Sequence, residues 1–563
     1  MALPTEELTL LKEVESRILW LAVRMIDYAN HDRVVADGLK VGGHQASSAS
    51  MVSIMTALYF HHLNAEDRVS VKPHASPVFH SIQYLLGNLD RKYLTMLRQA
   101  GGLQSYPSRT KDPDTVDFST GSVGLGAAAP LFAAVTRRYV DAHFGQRPDS
   151  RFIAIIGDAE LDEGNIWEAV ADPATHGLGN VMWIVDFNRQ SLDRVIPGIR
   201  IAQWRAQFEA AGWQVIEVKY GAKLKSSFAE PASEAFKTWF DEIPNDQYQS
   251  LYALKPEERR ARFLDGAPES VANFLERYND EDLFEILSDL GGHNLESLIE
   301  TFEACDADSA RPSVVFAYTV KGWGLPIAGD PRNHSAQISK EQIDLLRSAR
   351  GLDSATEWDS FSLTSATGQF LINRAAELRR PTISNKIDAQ FPITTNVKST
   401  GKSSTQEAFG RVLSEISRDE KIRPYLVTTA PDVATSTNLG GFINRAGIFH
   451  PQDLRRWHED PVLKWVEGPS GQHIELGISE MNLFMLLAML GLAGDHSNQS
   501  LIPIGTVYDP FVLRGLDAFI YGVYSGSKFI VTGTPSGITL APEGGAHQST
   551  ITPSVGMEIP GVV

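Results

Sequence analysis

Residues 155–169, "IIGDAELDEGNIWEA", crowd Asp158, Glu160, Asp162 and Glu163 into six positions directly after the apolar run Phe152 to Ile156. An apolar run of strand length that ends in Gly-Asp and passes into a helix-forming stretch reads as a strand covered on both faces, with its acidic residues at the carboxyl end. Three other runs share this texture: "NVMWIVDFN", "WQVIEVKYG" and "SVVFAYTVKG" each end in Gly or Asn. Helical spacers of ten or more residues separate such runs, which predicts a doubly wound, mostly parallel α/β domain over residues 1–354. Residues 355–404 turn polar and rich in Ser and Thr ("RPTISNKIDAQFPITTNVKSTGKSSTQ") and read as a linker. Strand-like runs resume with "YLVTTAPD", "SLIPIGTVYD" and "KFIVTGTP", predicting a second α/β domain over residues 405–563. Few elements follow its third strand, so this domain is expected to be incomplete, with two or three strands and an open sheet edge.

At 563 residues the chain exceeds what one hydrophobic core supports, and its 43% apolar content is enough to bury more than one. A net charge of -18 argues against a nucleic-acid surface, which needs clustered Lys and Arg. The single cysteine, Cys305, excludes an internal disulfide framework and a cysteine-based metal site, and suits a reducing compartment. The start, "MALPTEELTLLKEVESRI", is acidic and helix-like, without the basic segment and apolar core of a secretory signal. The apolar stretch "NLFMLLAMLGLAGD" is shorter than the ~20 residues of a membrane span. A cytoplasmic protein without membrane or nucleic-acid partners is expected.

In an open parallel sheet the ligand crevice lies beyond the carboxyl ends of the strands, and a helix N-terminus there favours an anion. Asp158 ends one strand, and Asn188, in "DFNRQSLD", ends the next, so the two can stand side by side. The Asp158 carboxylate, the Asn188 amide oxygen and the Gln190 backbone carbonyl, joined by two phosphate oxygens and a water, would complete the octahedral oxygen shell of Mg²⁺. Asp and Glu after a strand also serve as helix caps and first-turn residues, and Asn is common in turns. Spacing alone leaves both readings open.

The pair "GDAELDEG" and "NVMWIVDFNRQSLD" resembles the thiamine-diphosphate motif, which opens with Gly-Asp-Gly and closes at an Asn beyond the next strand. With "LKVGGHQASSAS", "KPHASPVFHS", "GLQSYPSR", "STGSVGLGAA" and "AAGWQVIEV", the chain from about Glu15 to Pro553 is similar to the homodimeric pyruvate dehydrogenase decarboxylating component of the transketolase superfamily. The resemblance implies two thiamine-diphosphate-binding α/β domains and the cofactors thiamine diphosphate and Mg²⁺. It also implies decarboxylation of a 2-oxo acid such as pyruvate, acyl transfer to a lipoyl-bearing acyltransferase, and a homodimer with the cofactor between domains of two subunits. Family members continue beyond the block at His547, so a separate C-terminal segment is expected as a partner. Ala159 departs from the motif, standing where its second glycine lets the backbone approach the diphosphate.

Residue by residue, the resemblance places Gly157, Asp158, Ala159 and Asn188 at the cofactor, with Asp158, Asn188 and Gln190 on the metal. Glu480, in "ELGISEMNLFML", matches the glutamate that hydrogen-bonds the pyrimidine ring; by itself it also reads as an ordinary helix start. His44 in "GGHQAS", His74 in "KPHASP" and His547 in "EGGAHQS" match active-site histidines, and His334 in "DPRNHSAQ" matches one on a mobile loop. Asp432 in "TTAPDVATS" matches an acidic position near the cofactor. Ser122 and Gly124, in "STGSVGLG", belong either to a loop against the cofactor or to a plain turn. Tyr508 and Phe511, in "TVYDPFVLRG", stack on the pyrimidine or pack in the core. His80, His176, His293 and His473 read as structural hydrogen-bonding groups. Two-carbon transfer between sugar phosphates and a non-catalytic homologue are the alternative functions.

Overall fold

The computed structural model describes residues 3–34, 38, 41–190, 200–381, 387, 390–391, 394, 397–398, 401–458, 465–538 and 544–563. Much of the expected linker, between 382 and 400, lies outside the described residues. The chain divides into two compact units. The first comprises Met1–Val116, Ile153–Asp162 and Met182–Arg380, and the second Asp117–Phe152, Glu163–Val181 and Pro381–Val563. This division interleaves along the chain instead of cutting it once near residue 354.

The sheet of the first unit contains β1 (Arg68–Ser70), β2 (Phe152–Gly157), β3 (Val181–Phe187), β4 (Gln214–Val218) and β5 (Ser313–Tyr318) in the order β1-β2-β3-β5-β4. All four apolar runs are strands; β1, only three residues long, carries too short a pattern to read. Ile153, Ile155, Met182, Ile184, Val315 and Ala317 point to one face and join a core built with the helices Thr5–His31, Val52–Ala57, Ser76–Leu85 and Leu295–Asp306. On the other face Trp183 packs its ring 5.9 Å from Phe208 and 4.8 Å from Trp213. Burial on both faces is why β2, β3 and β5 read as unbroken apolar runs, whereas β4, at the sheet edge, is only partly buried. Between β4 and β5 a set of short helices, Ala222–Phe228 through Asp280–Leu287, gathers its own core around Phe236, Phe240, Phe263 and Phe274.

Residues 355–404 are not linker throughout: Ala366–Glu377 is a helix whose N-cap, Ser365, accepts a hydrogen bond from Gly368 N–H. Its Leu371 and Arg374 are buried. The Arg374 guanidinium donates to Tyr59 O at 2.8 Å and Leu63 O at 2.6 Å, tying the helix to the first unit.

The second unit holds a six-stranded sheet where two or three strands were expected. Its strands are β6 (Leu426–Pro431), β7 (Ile448–Phe449), β8 (Glu467–Gly468), β9 (His473–Leu476), β10 (Ile502–Val507) and β11 (Ile530–Gly533), in the order β11-β10-β6-β9-β7-β8 with parallel pairing. The two-residue strands β7 and β8 and the mixed "HIEL" of β9 have no apolar run to announce them. The helix Glu480–Gly491 is buried continuously from Asn482 to Leu490 and packs against the helices Leu125–Phe144 and Leu516–Tyr524. That position explains an all-round apolar helix. Among the described residues no helix is long and apolar enough to cross a membrane.

Truncating Arg374 to Ala would strand the carbonyls of Tyr59 and Leu63, at a cost of about 2–3 kcal/mol for lost charged hydrogen bonds. A urea titration of Arg374→Ala should show a lowered midpoint; an unchanged midpoint would mean that the helix at 366–377 contributes nothing to the fold.

Candidate functional site

Asp158 directly follows β2 and Asn188 directly follows β3, and these strands are neighbours, so both side chains stand at adjacent carboxyl ends. The Asp158 carboxylate accepts Ala159 N–H at 2.9 Å and Arg189 N–H at 2.7 Å. Burial and the charge of Asp186 push its pKa up to about 7, the mark of a buried carboxylate short of positive charge. Asn188 Oδ1 accepts Gln190 N–H at 3.0 Å, while its amide nitrogen donates to Asp186 at 3.1 Å. The Gln190 side chain pairs with Gln249.

The carboxylates do not cap a helix. Residues Asp158–Asp162 form a 3-10 turn, and the α-helix begins only at Gly164, where Glu163 makes no side-chain cap. Glu160 instead turns back and accepts Gly157 N–H at 2.8 Å, and Asp162 pairs with Arg200 at 2.7 Å. Ala159 lies inside the 3-10 turn and is absent from the residues with positive φ, so its Cβ brings no backbone strain.

Two features missed in the sequence fix this corner. Asp186, within β3, is fully buried and accepts Lys72 Nζ at 2.6 Å, Ser50 Oγ at 2.7 Å and the Thr319 hydroxyl. An Asp inside the apolar run "WIVDFN" was the available signal. The helical insertion supplies the second: Gln249 donates to Asn188 O at 3.1 Å and Asn245 to Arg189 O at 3.2 Å. Arg189 is held left-handed, φ 60°, with its guanidinium over the rings of Tyr248 and Tyr318 at 5.4 and 5.6 Å.

His44, His74 and His334 form one cluster. His44 stacks on His74 at 3.9 Å between ring centroids, and His334 lies 4.5 Å from His44 and 5.3 Å from His74. His44 Nδ1 donates to His334 O at 2.8 Å, and Lys321 Nζ approaches His334 Nδ1 to 3.2 Å. Among the described residues, buried His74 Nδ1 has no hydrogen-bond partner. Burial is the chief cause that lowers all three pKa values, to about 2 for His74 and about 4 for His334, and neighbouring Lys and His charges add to it. Burial together with Lys72 brings the Lys321 ammonium down to about 8. Three of the four histidines set aside make structural contacts: His80 Nδ1 meets Asp114 at 2.8 Å, His293 Nε2 accepts Val320 N–H, and His473 bonds Thr428 and Glu475.

In the second unit Asp432, Glu480 and Tyr508 follow the carboxyl ends of β6, β9 and β10, three adjacent strands. Glu480 opens its helix behind the N-cap Ser479, is 4% exposed, and has Arg514 at 3.3 Å. Burial raises its pKa. Asp432 is left-handed, φ 57°, and its N–H reaches Glu475 at 3.1 Å. Tyr508 hydrogen-bonds Ser436 at 2.7 Å, and the His547 ring sits edge-on to Tyr508 and Phe511 at 5.7 and 5.5 Å. Exposed Ser122 bonds Asp517. Gly124 caps the helix Leu125–Phe144 with φ 88°, and a Cβ there would meet the Asn165 side chain at 2.4 Å.

Residues 29–236 match the family model described as transketolase, thiamine diphosphate binding domain, and residues 382–561 match that of the pyruvate dehydrogenase E1 component middle domain. The chain therefore belongs to the transketolase superfamily of thiamine-diphosphate proteins. Within it, the chain is similar to pyruvate dehydrogenase E1 components. It is 25% identical to the pyruvate dehydrogenase E1 component of Cupriavidus necator over 95% of its own length and 63% of that protein. For the Pseudomonas aeruginosa relative the values are 26%, 95% and 64%, so the chain spans somewhat less than two thirds of these relatives. The fold matches transketolase from Leishmania mexicana with a TM-score of 0.69 at 18% identity, covering 98% of this chain and 72% of that one.

The histidine cluster has a measurable consequence. A histidine whose folded pKa lies below the unfolded value of ~6.5 supports the fold fully above that pH and loses its contribution as pH falls toward the folded pKa. Replacing His74 with Gln should flatten the loss of urea midpoint between about pH 7 and pH 5 relative to wild type. Parallel pH curves for the two proteins would show that His74 is not held neutral.

Proposed function

We propose that the chain carries out the thiamine-diphosphate- and Mg²⁺-dependent decarboxylation of a 2-oxo acid, with pyruvate the favoured substrate, and passes the acyl group to a lipoyl-bearing acyltransferase. The observation that carries this reading is the placement of Asp158 and Asn188 at adjacent strand ends within the stretch that matches the thiamine-diphosphate-binding domain. The donor set fits the cation. Asp158 is a buried carboxylate short of positive charge, and Asn188 Oδ1 accepts one hydrogen bond, leaving one of its two lone pairs. Asp158, Asn188 and the Gln190 carbonyl would hold Mg²⁺, a hard ion that prefers oxygen. Gly157 and Ala159, with Ser122 and Gly124, would lie along the cofactor.

Bound thiamine diphosphate supplies a nucleophilic carbon and an electron sink for the loss of CO₂. Glu480, buried and with its pKa raised chiefly by that burial, suits a hydrogen bond to a ring nitrogen. Its neighbour Arg514 works against that shift, and burial outweighs it. Their lowered pKa values keep His44, His74 and His334 as uncharged hydrogen-bonding groups beside the substrate, while Lys321 attracts the substrate carboxylate. His547 would reach the substrate from beside Tyr508 and Phe511, rings that either stack on the pyrimidine or pack in the core, with Asp432 near the cofactor. A cytoplasmic homodimer completes the reading, since the superfamily's cofactor site is shared between subunits. Arms with sugar phosphates in the assay below separate it from two-carbon transfer.

The direct test supplies the purified protein with Mg²⁺, thiamine diphosphate, a panel of 2-oxo acids and an artificial electron acceptor; absence of turnover with every acid rejects the reading. By calorimetry, Asp158→Ala should lose Mg²⁺-dependent cofactor binding, whereas Asp162→Ala, exposed and paired with Arg200, should keep it. Equal binding by both variants would remove Asp158 from the metal. Glu480→Gln should keep thermal stability and cofactor binding while slowing exchange of the thiazolium proton by about 10²–10⁴. Unaltered exchange would leave Glu480 as a helix-start residue.

A further inference from the structure

The buried ammonium of Lys72 has no role in the chemistry above, yet it sits at the strand ends where the diphosphate is assigned. Lys72 precedes Pro73 and His74 in the turn that leaves β1, is 8% exposed, and places Nζ 2.6 Å from Asp186 Oδ2. A Cβ added to Gly157 would lie 3.2 Å from Lys72 Cε and 3.4 Å from Nζ, so the side chain lies directly over the Gly157 backbone at the end of β2. Asp158 and Glu160 lie close enough to add to the attraction that Asp186 exerts on the ammonium. Three carboxylates thus converge at the ends of β2 and β3.

Asp186 is engaged on both oxygens: Oδ2 accepts Lys72, Ser50 and the Asn188 amide, and Oδ1 accepts the Thr319 hydroxyl. An ammonium has three donors, and Asp186 takes one of Lys72's. A diphosphate arriving beside three carboxylates needs more positive charge than one divalent ion brings, and a fixed ammonium costs no ordering when the ligand binds.

We propose that Lys72 is a diphosphate-binding residue whose tethered positive charge shares the neutralising work of the divalent metal, so that this chain retains diphosphate binding when the metal is removed. The inference rests on the cofactor reading above and concerns binding alone, with no change in the reaction.

The test is calorimetric titration of the full chain with thiamine diphosphate, in Mg²⁺ and in EDTA, repeated with inorganic pyrophosphate to isolate the diphosphate contribution. Wild type should weaken no more than about tenfold in EDTA, and Lys72→Met should weaken by about a further hundredfold there, the size of a lost charge-assisted hydrogen bond. In saturating Mg²⁺ the variant's deficit should shrink. Because Lys72→Met leaves Asp186 buried and unpaired, Lys72→Met with Asp186→Asn removes both charges and should show the same loss in EDTA. The wild-type comparison needs no variant. Wild-type binding that vanishes in EDTA, or variants that bind as wild type does there, overturns the role of Lys72 while tight binding in Mg²⁺ keeps the cofactor reading. No binding of thiamine diphosphate in either condition defeats that reading, and the inference with it.

Discussion

The buried carboxylate of Asp186 organises the first unit. It accepts hydrogen bonds from Lys72 on the turn after β1, Ser50 beside the helix Val52–Ala57, Thr319 after β5 and Asn188 after its own strand. An isolated carboxylate at full burial would cost several kcal/mol, and four donors with one formal positive charge offset that. The Lys72 charge and these hydrogen bonds outweigh burial and hold the Asp186 carboxyl below the usual range. Because each donor comes from a different segment, the carboxylate stays satisfied only when β1, β3, β5 and the segment before Val52 are mutually in place. The strand ends that present Asp158 and Asn188 inherit that rigidity.

The negative charge of Asp186 has a second effect. It raises the pKa of Asp158 where Lys72 and two backbone N–H groups lower it, and burial tips the balance upward. A carboxyl poised near neutrality is a poor permanent anion and a good partner for an added cation. The peptide geometry around it is equally specific. Left-handed Arg189 costs on the order of 1 kcal/mol in backbone strain, and its N–H reaches Asp158 while the insertion's Asn245 holds its carbonyl. The helices at 222–287 therefore do more than decorate the sheet: Asn245 and Gln249 set the direction of the chain as it leaves β3.

How much of this was legible depends on the distance over which each signal acts. Three of the five strands of the first sheet, β2, β3 and β5, are announced by local apolar runs because both faces are buried, and the neighbouring strand ends follow from the parallel pattern. The strands β7, β8 and β9 lack such runs, since pairing with neighbours in place stabilises them, so the second sheet looked half its true width. The helix at 366–377 hid in a Ser- and Thr-rich stretch because Ser365 is its cap. Lys72, Asn245 and Gln249 were invisible for another reason. Their partners are 114, 56 and 61 residues away, and nothing in a lone Lys or Asn reports a contact so remote. Asp186 alone left a trace, as a charge inside a strand.

The two small residues of the motif respond to different constraints. Gly157 takes up no left-handed conformation; Lys72 lies across it, and a Cβ there would stand 3.2 Å from Cε, so the lysine side chain would have to give by a few tenths of an ångström. Ala159 faces the opposite situation. Its 3-10 conformation suits any L-residue, and its N–H is engaged by the Asp158 carboxylate at 2.9 Å. A glycine there would add freedom to the unfolded chain without relieving strain in the folded one, a cost of a few tenths to about 1 kcal/mol. The departure from Gly-Asp-Gly is thus neutral or favourable for the fold, and any constraint for glycine at 159 must come from the approach of a ligand, not from the backbone.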